Sequence, residues 1–150
     1  MTRLLLEPIK MKRLLFGYWL LVPCLYVVYL FTLAAVQQTT VSIIFATIPS
    51  LTLTTIIVLL LFFQLFALYK LIDSSDYRAS LLGNFLKFSM IQQLFSLNII
   101  GIILCILVYR SLLPTKDELI LPKSEQWIVY GVMTFVGCVT VIVLLIRISL

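Results

Sequence analysis

The side chains able to do chemistry are concentrated in one polar stretch, residues 70–87, KLIDSSDYRASLLGNFLK, between two long apolar runs. It holds five of the seventeen charges of the chain, on Lys70, Asp73, Asp76, Arg78 and Lys87. Cations beside an apolar run commonly contact anionic lipid headgroups. The two carboxylates add nothing to lipid binding, so the stretch also suits a docking surface for a cytoplasmic protein. These five residues are the predicted partner-binding site.

A catalytic role would fall to Asp73 and Asp76, which could act as the acid–base pair of a lipid-metabolising enzyme at the membrane surface. The rest of the composition disfavours catalysis. The chain has no histidine, the commonest general base and metal ligand. Its three cysteines lie inside apolar runs without metal-ligand spacing. We therefore predict no enzymatic activity, no catalytic residue, no metal site and no cofactor.

Three amide side chains, Gln64, Gln92 and Gln93, lie within the apolar runs on either side of the polar stretch. At 1.5 Å per helical residue, Gln64 and Gln92 sit at matching depth, roughly 7–9 Å inside the membrane boundary. Amides that face each other across two helices satisfy their hydrogen-bonding groups and contribute about 0.6–2 kcal/mol. The three glutamines therefore predict an intramembrane polar clasp, with a polar binding groove as the alternative.

The elements that carry these side chains are predicted from composition, because 63% of the residues are hydrophobic and only 11% are charged. A soluble domain is about one quarter charged. Four apolar runs, at about residues 14–36, 51–69, 88–109 and 126–146, each approach the 20 or so residues that a membrane-spanning helix needs. The fold class is thus an all-α polytopic membrane protein, a single transmembrane domain of four helices over residues 1–150.

The distribution of lysine and arginine predicts the orientation of this bundle. The basic head at residues 1–13, the 70–87 stretch and the tail hold eight of these cations, whereas the loop at 110–125 holds three and residues 37–50 hold none. Positive residues favour the cytoplasmic side. Both termini and the 70–87 loop are therefore predicted in the cytoplasm (N-in/C-in) and 110–125 as an outer loop. We expect a bacterial plasma or inner membrane.

The remaining surface features concern partners other than the lipid bilayer. The cations stand at the ends of apolar runs and do not collect on one soluble face, so direct nucleic-acid binding is not expected. Small residues recur at helical spacing in Gly131, Thr134 and Cys138, and again in Gly101 and Cys105. Such grooves serve close helix packing within one chain or between the copies of a homo-oligomer, and the spacing fits both.

The segment at residues 67–88, ALYKLIDSSDYRASLLGNFLKF, resembles the YoaS-like family of small four-span bacterial membrane proteins. The matching positions are Tyr69, Leu71, Ile72, Asp73, Asp76, Tyr77, Ser80 and Lys87. The resemblance implies a gene neighbourhood that includes a small helix-turn-helix transcription regulator, and hence a regulatory role. It brings no catalytic residues.

Together these observations predict a non-enzymatic, membrane-resident regulatory or accessory protein. Its cytoplasmic face, formed by the head and the 70–87 stretch, would bind a soluble partner such as a transcription regulator. Two alternatives stay open: a self-protection protein of the bacteriocin-immunity type, and an accessory subunit of a membrane transport complex. In both, the 110–125 loop and the lipid-facing surface would carry the function.

Overall fold

The computed structural model describes residues 7–74, 76–114 and 122–149 of the chain. These residues form six helices and no β-strand, which confirms the all-α class. The helices are α1 (Pro8–Val36), α2 (Val41–Thr47), α3 (Pro49–Leu71), α4 (Leu81–Phe95), α5 (Ile99–Ser111) and α6 (Lys123–Ser149).

Three of these helices, α1, α3 and α6, are long and apolar enough to cross a membrane, and α5 is a shorter apolar helix. The three long helices contain the predicted spans at 14–36, 51–69 and 126–146. The β-branched residues of α3 would favour a strand in water. In lipid a helix is preferred, because it satisfies all its backbone groups within one segment. Exposed apolar side chains cover the long helices, as expected of a membrane-embedded multi-pass protein.

The three long helices alternate in direction. Near the start of α1, Lys12 Nζ lies 2.8 Å from the carbonyl oxygen of Ile72, just beyond the end of α3. Near the other end of α1, the Tyr26 hydroxyl lies 2.9 Å from Thr55 Oγ1 in the first turns of α3. Arg147, close to the end of α6, lines a small cavity with Ser50 at the start of α3. Helices α1 and α6 therefore run in one direction and α3 in the other.

It follows that Lys12 and Arg147 lie at opposite ends of the bundle. We call the end with Lys12 the charged end and the end with Arg147 the opposite end. The prediction had both termini on one side, as four complete crossings require. The structure differs because the segment between α3 and α6 does not run from one end to the other.

That segment is a hairpin of two short helices. Helix α4 ends at Phe95, α5 begins at Ile99, and Leu97 between them has a positive φ of 55°. At the base of the hairpin, the Arg78 N–H donates to the Leu113 carbonyl at 3.0 Å, and the Leu113 N–H donates to the Asp76 carbonyl at 2.8 Å. The start of α4 and the end of α5 are thus held together.

These bonds correct two predictions. A continuous helix over 88–109 is wrong, because the chain leaves the helix at residues 96–98 and turns back. The 110–125 segment was predicted to face away from the 70–87 stretch, yet its described beginning, up to Pro114, lies beside that stretch at the charged end. The rest of the segment, from 115 to 121, lies outside the described residues.

The hydrophobic core lies at the charged end, where α1, α3 and the hairpin meet. Trp19 and Phe85 are fully buried and pack edge to face, with ring centroids 6.0 Å apart. Trp19 lies on the face of α1 that is turned toward the hairpin. The core thus fixes α4 against α1 and positions the polar residues farther along both helices.

Candidate functional site

Two polar clusters hold the hairpin, one at its base and one at its tip. At the base, Lys12 Nζ pairs with Asp76 Oδ1 at 2.8 Å and also donates to the Ile72 carbonyl. The Lys12 side chain is only 2% exposed, whereas that of Asp76 is 42% exposed. An almost buried ammonium group is stable only where a counter-charge and hydrogen bonds replace its water. This ion pair therefore ties α1 to the loop before α4.

Two further cations of the 70–87 stretch contact the returning helix α5. The Arg78 guanidinium carbon lies 5.7 Å from the centre of the Tyr109 ring, and Lys87 Nζ lies 5.6 Å from it. Arg78 Nη2 also donates to the Arg110 carbonyl at 2.8 Å. Cations at this distance from an aromatic face are attracted by its π electrons. We call Lys12, Asp76, Arg78, Lys87 and Tyr109 the charged cluster.

The predicted partner-binding residues thus divide into two groups. Asp76, Arg78 and Lys87 are engaged within the chain, as described above. Lys70 is half-buried and Asp73 is exposed, and neither makes a hydrogen bond or ion pair with the residues that the structure describes. Only these two remain free to meet a partner. Asp73 and Asp76 do not converge on a shared contact, since Asp76 is directed to Lys12.

A glycine sets the backbone path into the hairpin. The Ser80 side chain caps α4 by accepting a hydrogen bond from the Gly83 N–H. A Cβ atom on Gly83 would lie 2.0 Å from the carbonyl oxygen of Arg78. The loop that carries Asp76 and Arg78 can therefore fold over the first turn of α4 only when residue 83 has no side chain.

The charges of the chain are distributed very unevenly between the two ends. Among the described residues, Arg147 is the one charge at the opposite end. The charged end holds eight cations and four acids, namely Glu7, Lys10, Lys12, Arg13, Lys70, Asp73, Asp76, Arg78, Lys87, Arg110, Lys123 and Glu125. The net positive charge of the described chain is therefore concentrated at one end.

At the tip of the hairpin, the three glutamines of the predicted clasp are in contact. Gln64 Nε2 donates to Gln92 Oε1 at 3.0 Å, and Gln93 Nε2 donates to Gln64 Oε1 at 2.9 Å. All three side chains are buried. The structure therefore joins α3 and α4 through a pair of amide hydrogen bonds.

The hydrogen bonds continue beyond the glutamines. Gln92 Nε2 donates to Ser96 Oγ at 3.2 Å, and Asn98 Nδ2 donates to Gln93 Oε1 at 2.6 Å. The Tyr18 hydroxyl of α1 donates to Asn98 Oδ1 at 2.6 Å. We call Tyr18, Gln64, Gln92, Gln93, Ser96 and Asn98 the amide network.

The amide network satisfies the backbone where the helix is broken. Asn98 Oδ1 accepts the Gly101 N–H at 3.1 Å and so caps α5, while Ser96 Oγ donates to the Gln92 carbonyl at 2.9 Å. Irregular backbone at membrane depth is tolerated only where the protein or a water-filled cavity provides such partners. A Cβ at residue 101 would lie 2.6 Å from Gln93 Oε1, so a larger residue there would displace the Gln93 side chain from the network.

Sequence reasoning missed the two members of these clusters that lie on α1. Lys12 was assigned to the basic head as a membrane anchor. It precedes Leu15 by three residues and Trp19 by seven, and this spacing on one helix face was the available signal. For Tyr18 there was no such signal, because nothing in the local sequence shows that its hydroxyl donates to Asn98.

A cavity of about 320 Å³ adjoins the amide network. Gln93, Ser96 and Asn98 of the hairpin line it, together with Arg147 of α6. The other walls are mostly apolar and come from α1 and α3, including Val22, Ile57, Val58 and Leu61. We call this space the tip cavity.

A second, wider groove of about 650 Å³ lies on the outer surface between α4 and α6. Phe88, Tyr130, Thr134, Gly137 and Cys138 are among its lining residues. Thr134 and Cys138 belong to one predicted small-residue groove and are exposed. Gly101 and Cys105, of the other groove, are buried within the chain.

The described residues contain no group of three or more His, Cys, Asp or Glu side chains that could hold a metal ion. Cys24, Cys105 and Cys138 are free thiols. Comparison with known proteins found no family model, curated protein or solved structure that matches the chain, so its function has to be inferred from the two polar clusters themselves.

Proposed function

We propose that this chain is a non-enzymatic, membrane-resident regulatory or accessory protein that binds a soluble partner at its charged end. The observation that carries the proposal is the concentration of cations described above, eight at the charged end against Arg147 at the other. Lysine and arginine are retained on the cytoplasmic side of membranes. The charged end therefore faces the cytoplasm, where a regulator could reach it.

The proposed membrane arrangement has three complete spans, α1, α3 and α6, with a hairpin that enters from the cytoplasm and returns to it. Helices of 15 and 13 residues, as in α4 and α5, are about 22 and 20 Å long. The hydrocarbon core is about 30 Å thick, so neither helix crosses it. The N-terminal head lies in the cytoplasm and the end of α6 on the outer side.

The docking surface is built around Lys70 and Asp73, the two charged residues of the 70–87 stretch that make no hydrogen bond or ion pair with the described part of the chain. Their positions are fixed because the ion pair of Lys12 with Asp76 and the bonds of Leu113 hold the neighbouring loop. A prearranged surface loses little conformational entropy on binding. The excess of cations around it favours an acidic partner surface. The resemblance of residues 67–88 to the YoaS-like family suggests a helix-turn-helix regulator.

The test is co-expression with the helix-turn-helix regulator that the resemblance predicts beside the gene, followed by separation of membranes from cytosol. We expect the regulator to sediment with membranes that contain the wild-type chain, and to become soluble when Lys70→Glu and Asp73→Lys are combined. Arg147→Glu, at the opposite end, is the control and should retain it. A regulator that stays bound to the doubly reversed protein, at equal protein levels, contradicts the proposal.

The orientation of the chain in the membrane can be checked in the same expression strain. Cysteine introduced as Asp73→Cys and as Ser149→Cys is labelled in intact cells with a membrane-impermeant maleimide. Three spans place position 149 outside the cell and position 73 inside it. Only the cysteine at position 149 is therefore labelled before lysis. Equal protection of both positions would support four crossings and place both termini in the cytoplasm.

An accessory subunit of a membrane complex is the second candidate. It is favoured by the groove between α4 and α6, where the exposed Thr134 and Cys138 border a large apolar surface open to the lipid. Small residues at such a place let a helix of another membrane protein approach closely. In that case the groove, and not Lys70 and Asp73, would determine co-purification with the partner.

A further inference from the structure

The amide network has an excess of hydrogen-bond donors. Its orientation is fixed by the Gly101 backbone, because an N–H can only donate and therefore meets the oxygen of Asn98. Asn98 must then present its nitrogen to the oxygen of Gln93, and the same direction continues through Gln64 to Gln92. Every amide oxygen of the network thus accepts a hydrogen bond from within it.

Each amide nitrogen carries two hydrogens, and each donates one hydrogen bond within the network. A second N–H therefore remains on each of the four amides without a partner among the described residues. Two of these amides, Gln93 and Asn98, line the tip cavity. A molecule in this cavity would be held best if it accepted hydrogen bonds.

The cavity is also electropositive. Arg147 lines it and makes no hydrogen bond or ion pair with any residue that the structure describes. The lining residues include no aspartate or glutamate. Helix α5 begins directly at the tip, so the positive end of its dipole adds to the field. The positive charge of Arg147 and the free amide N–H donors both favour an anion as the ligand of this cavity.

The shape of the cavity indicates what kind of anion would fit. Its volume of about 320 Å³ is at the lower end of the range for small-molecule sites. Its side walls, from Val22 to Leu61, are mainly apolar. Arg147 also borders Ser50 and Leu53 at the start of α3, so access is from the opposite end. Toward the charged end, the buried Trp19 and Phe85 close the bundle.

We propose that the tip cavity binds a small organic carboxylate with an apolar body, which enters from the side where α6 ends. Arg147 pairs with the carboxylate, the free N–H groups of Gln93 and Asn98 donate to it, and the apolar walls contain the body. This site is independent of the docking surface at the charged end.

The test uses the full chain in a non-ionic detergent, with hexanoate as the probe. Hexanol and hexylammonium, which share its chain but lack its charge or reverse it, are the controls. We expect hexanoate to raise the melting temperature in a saturable way and to bind measurably by calorimetry, and the two controls to do neither. Equal stabilisation by hexanol, or no binding of hexanoate, would overturn the proposal.

Two variants locate the site without disturbing the amide network. Arg147→Gln should weaken hexanoate binding by about tenfold or more, since it removes a charged hydrogen bond. Arg110→Gln, an exposed arginine at the charged end, should leave it unchanged. Val22→Phe, which fills the cavity, should abolish binding while the protein still melts cooperatively. Unaltered affinity in Arg147→Gln would rule out the tip cavity.

A further comparison distinguishes a soluble ligand from a lipid-derived one, because a carboxylate with an apolar body describes both. Dodecanoate is titrated beside hexanoate in the same detergent. Tighter binding of the longer chain, again lost in Arg147→Gln, identifies a fatty acid that extends from the cavity into the lipid. Tighter binding of hexanoate identifies a soluble carboxylate confined to the cavity.

Discussion

The base and the tip of the α4–α5 hairpin are held by different chemistry. At the base, the charged cluster uses an ion pair and two cations over an aromatic ring. At the tip, the amide network uses neutral side chains alone. Both fasten the same two helices to α1 and α3, so the difference is one of depth and not of role.

This difference follows from the cost of burying charge. Near the membrane surface, a half-exposed Asp76 keeps contact with water while it neutralises Lys12. A charge at the centre of the bilayer costs several kcal/mol, whereas an amide can be satisfied by another amide. A chain that must break a helix inside a membrane therefore uses Gln and Asn for the break and reserves Lys, Arg and Asp for the boundary.

The largest expected effect tests whether the base depends on its backbone path. In Gly83→Ala, the new methyl group would meet the Arg78 carbonyl oxygen at 2.0 Å, and this close contact is with rigid backbone. We expect a loss of about 3 kcal/mol in unfolding free energy. Gly17→Ala, on α1 with nothing near the added methyl group, is the control and should be neutral or stabilising by up to about 1 kcal/mol. Equal melting of both variants would show that the loop before α4 can move away freely.

A smaller effect is expected from the ion pair at the base. Asp76→Ala leaves the Lys12 ammonium buried with the Ile72 carbonyl as a remaining acceptor. Removing one partner of a fully buried pair costs about 3–5 kcal/mol, and the partial exposure of Asp76 reduces this to about 2 kcal/mol. Thermal unfolding in detergent measures this loss of stability in Asp76→Ala. Asp73→Ala removes an acid from the same loop without a contact and should leave the transition unchanged.

The smallest effect is expected at the tip. Gln64→Leu removes two amide hydrogen bonds and adds apolar contact, so we expect a loss of about 1 kcal/mol. The double variant with Gln92→Leu should lose less than the sum of the two single ones, because each already breaks the shared bond. Gln37→Leu, an exposed amide after α1, is the control. A loss at Gln64 greater than that at Asp76 would reverse the comparison between base and tip.

Much of the fold could be predicted from the sequence because α1, α3 and α6 are long uninterrupted apolar runs. The hairpin could not, since residues 88–109 are equally apolar whether they form one helix or parts of two. Asn98 is a good N-cap residue, and it was the one local signal of a second helix start. The break is stabilised by Tyr18 and Gln64, which are far away in sequence. A hydropathy pattern does not predict contacts between such distant residues.

The candidate sites show the same limit. Gln64 and Gln92 could be paired from the sequence because α3 ends and α4 begins at the same end of the bundle. The docking surface could not be predicted in this way, because its composition depends on which charged side chains of the 70–87 stretch form contacts within the chain. Arg78 and Lys87 contact Tyr109 only because α5 returns to the base of the hairpin. Arg147 was predicted on the same side as the 70–87 stretch, and it lies at the opposite end of the bundle because α5 returns to the charged end.

The break at residues 96–98 also makes the two short helices depend on helices that precede them in the chain. Neither α4 nor α5 is long enough to be held across the bilayer by its own apolar length. Their exposed backbone and amides become stable only against Tyr18 and Gln64, on helices made earlier. In the proposed membrane arrangement the two short helices are therefore stable only as a pair packed against α1 and α3. A chain that ended before residue 98 would leave the Tyr18 hydroxyl and Gln93 Oε1 without the hydrogen-bond partner that Asn98 provides.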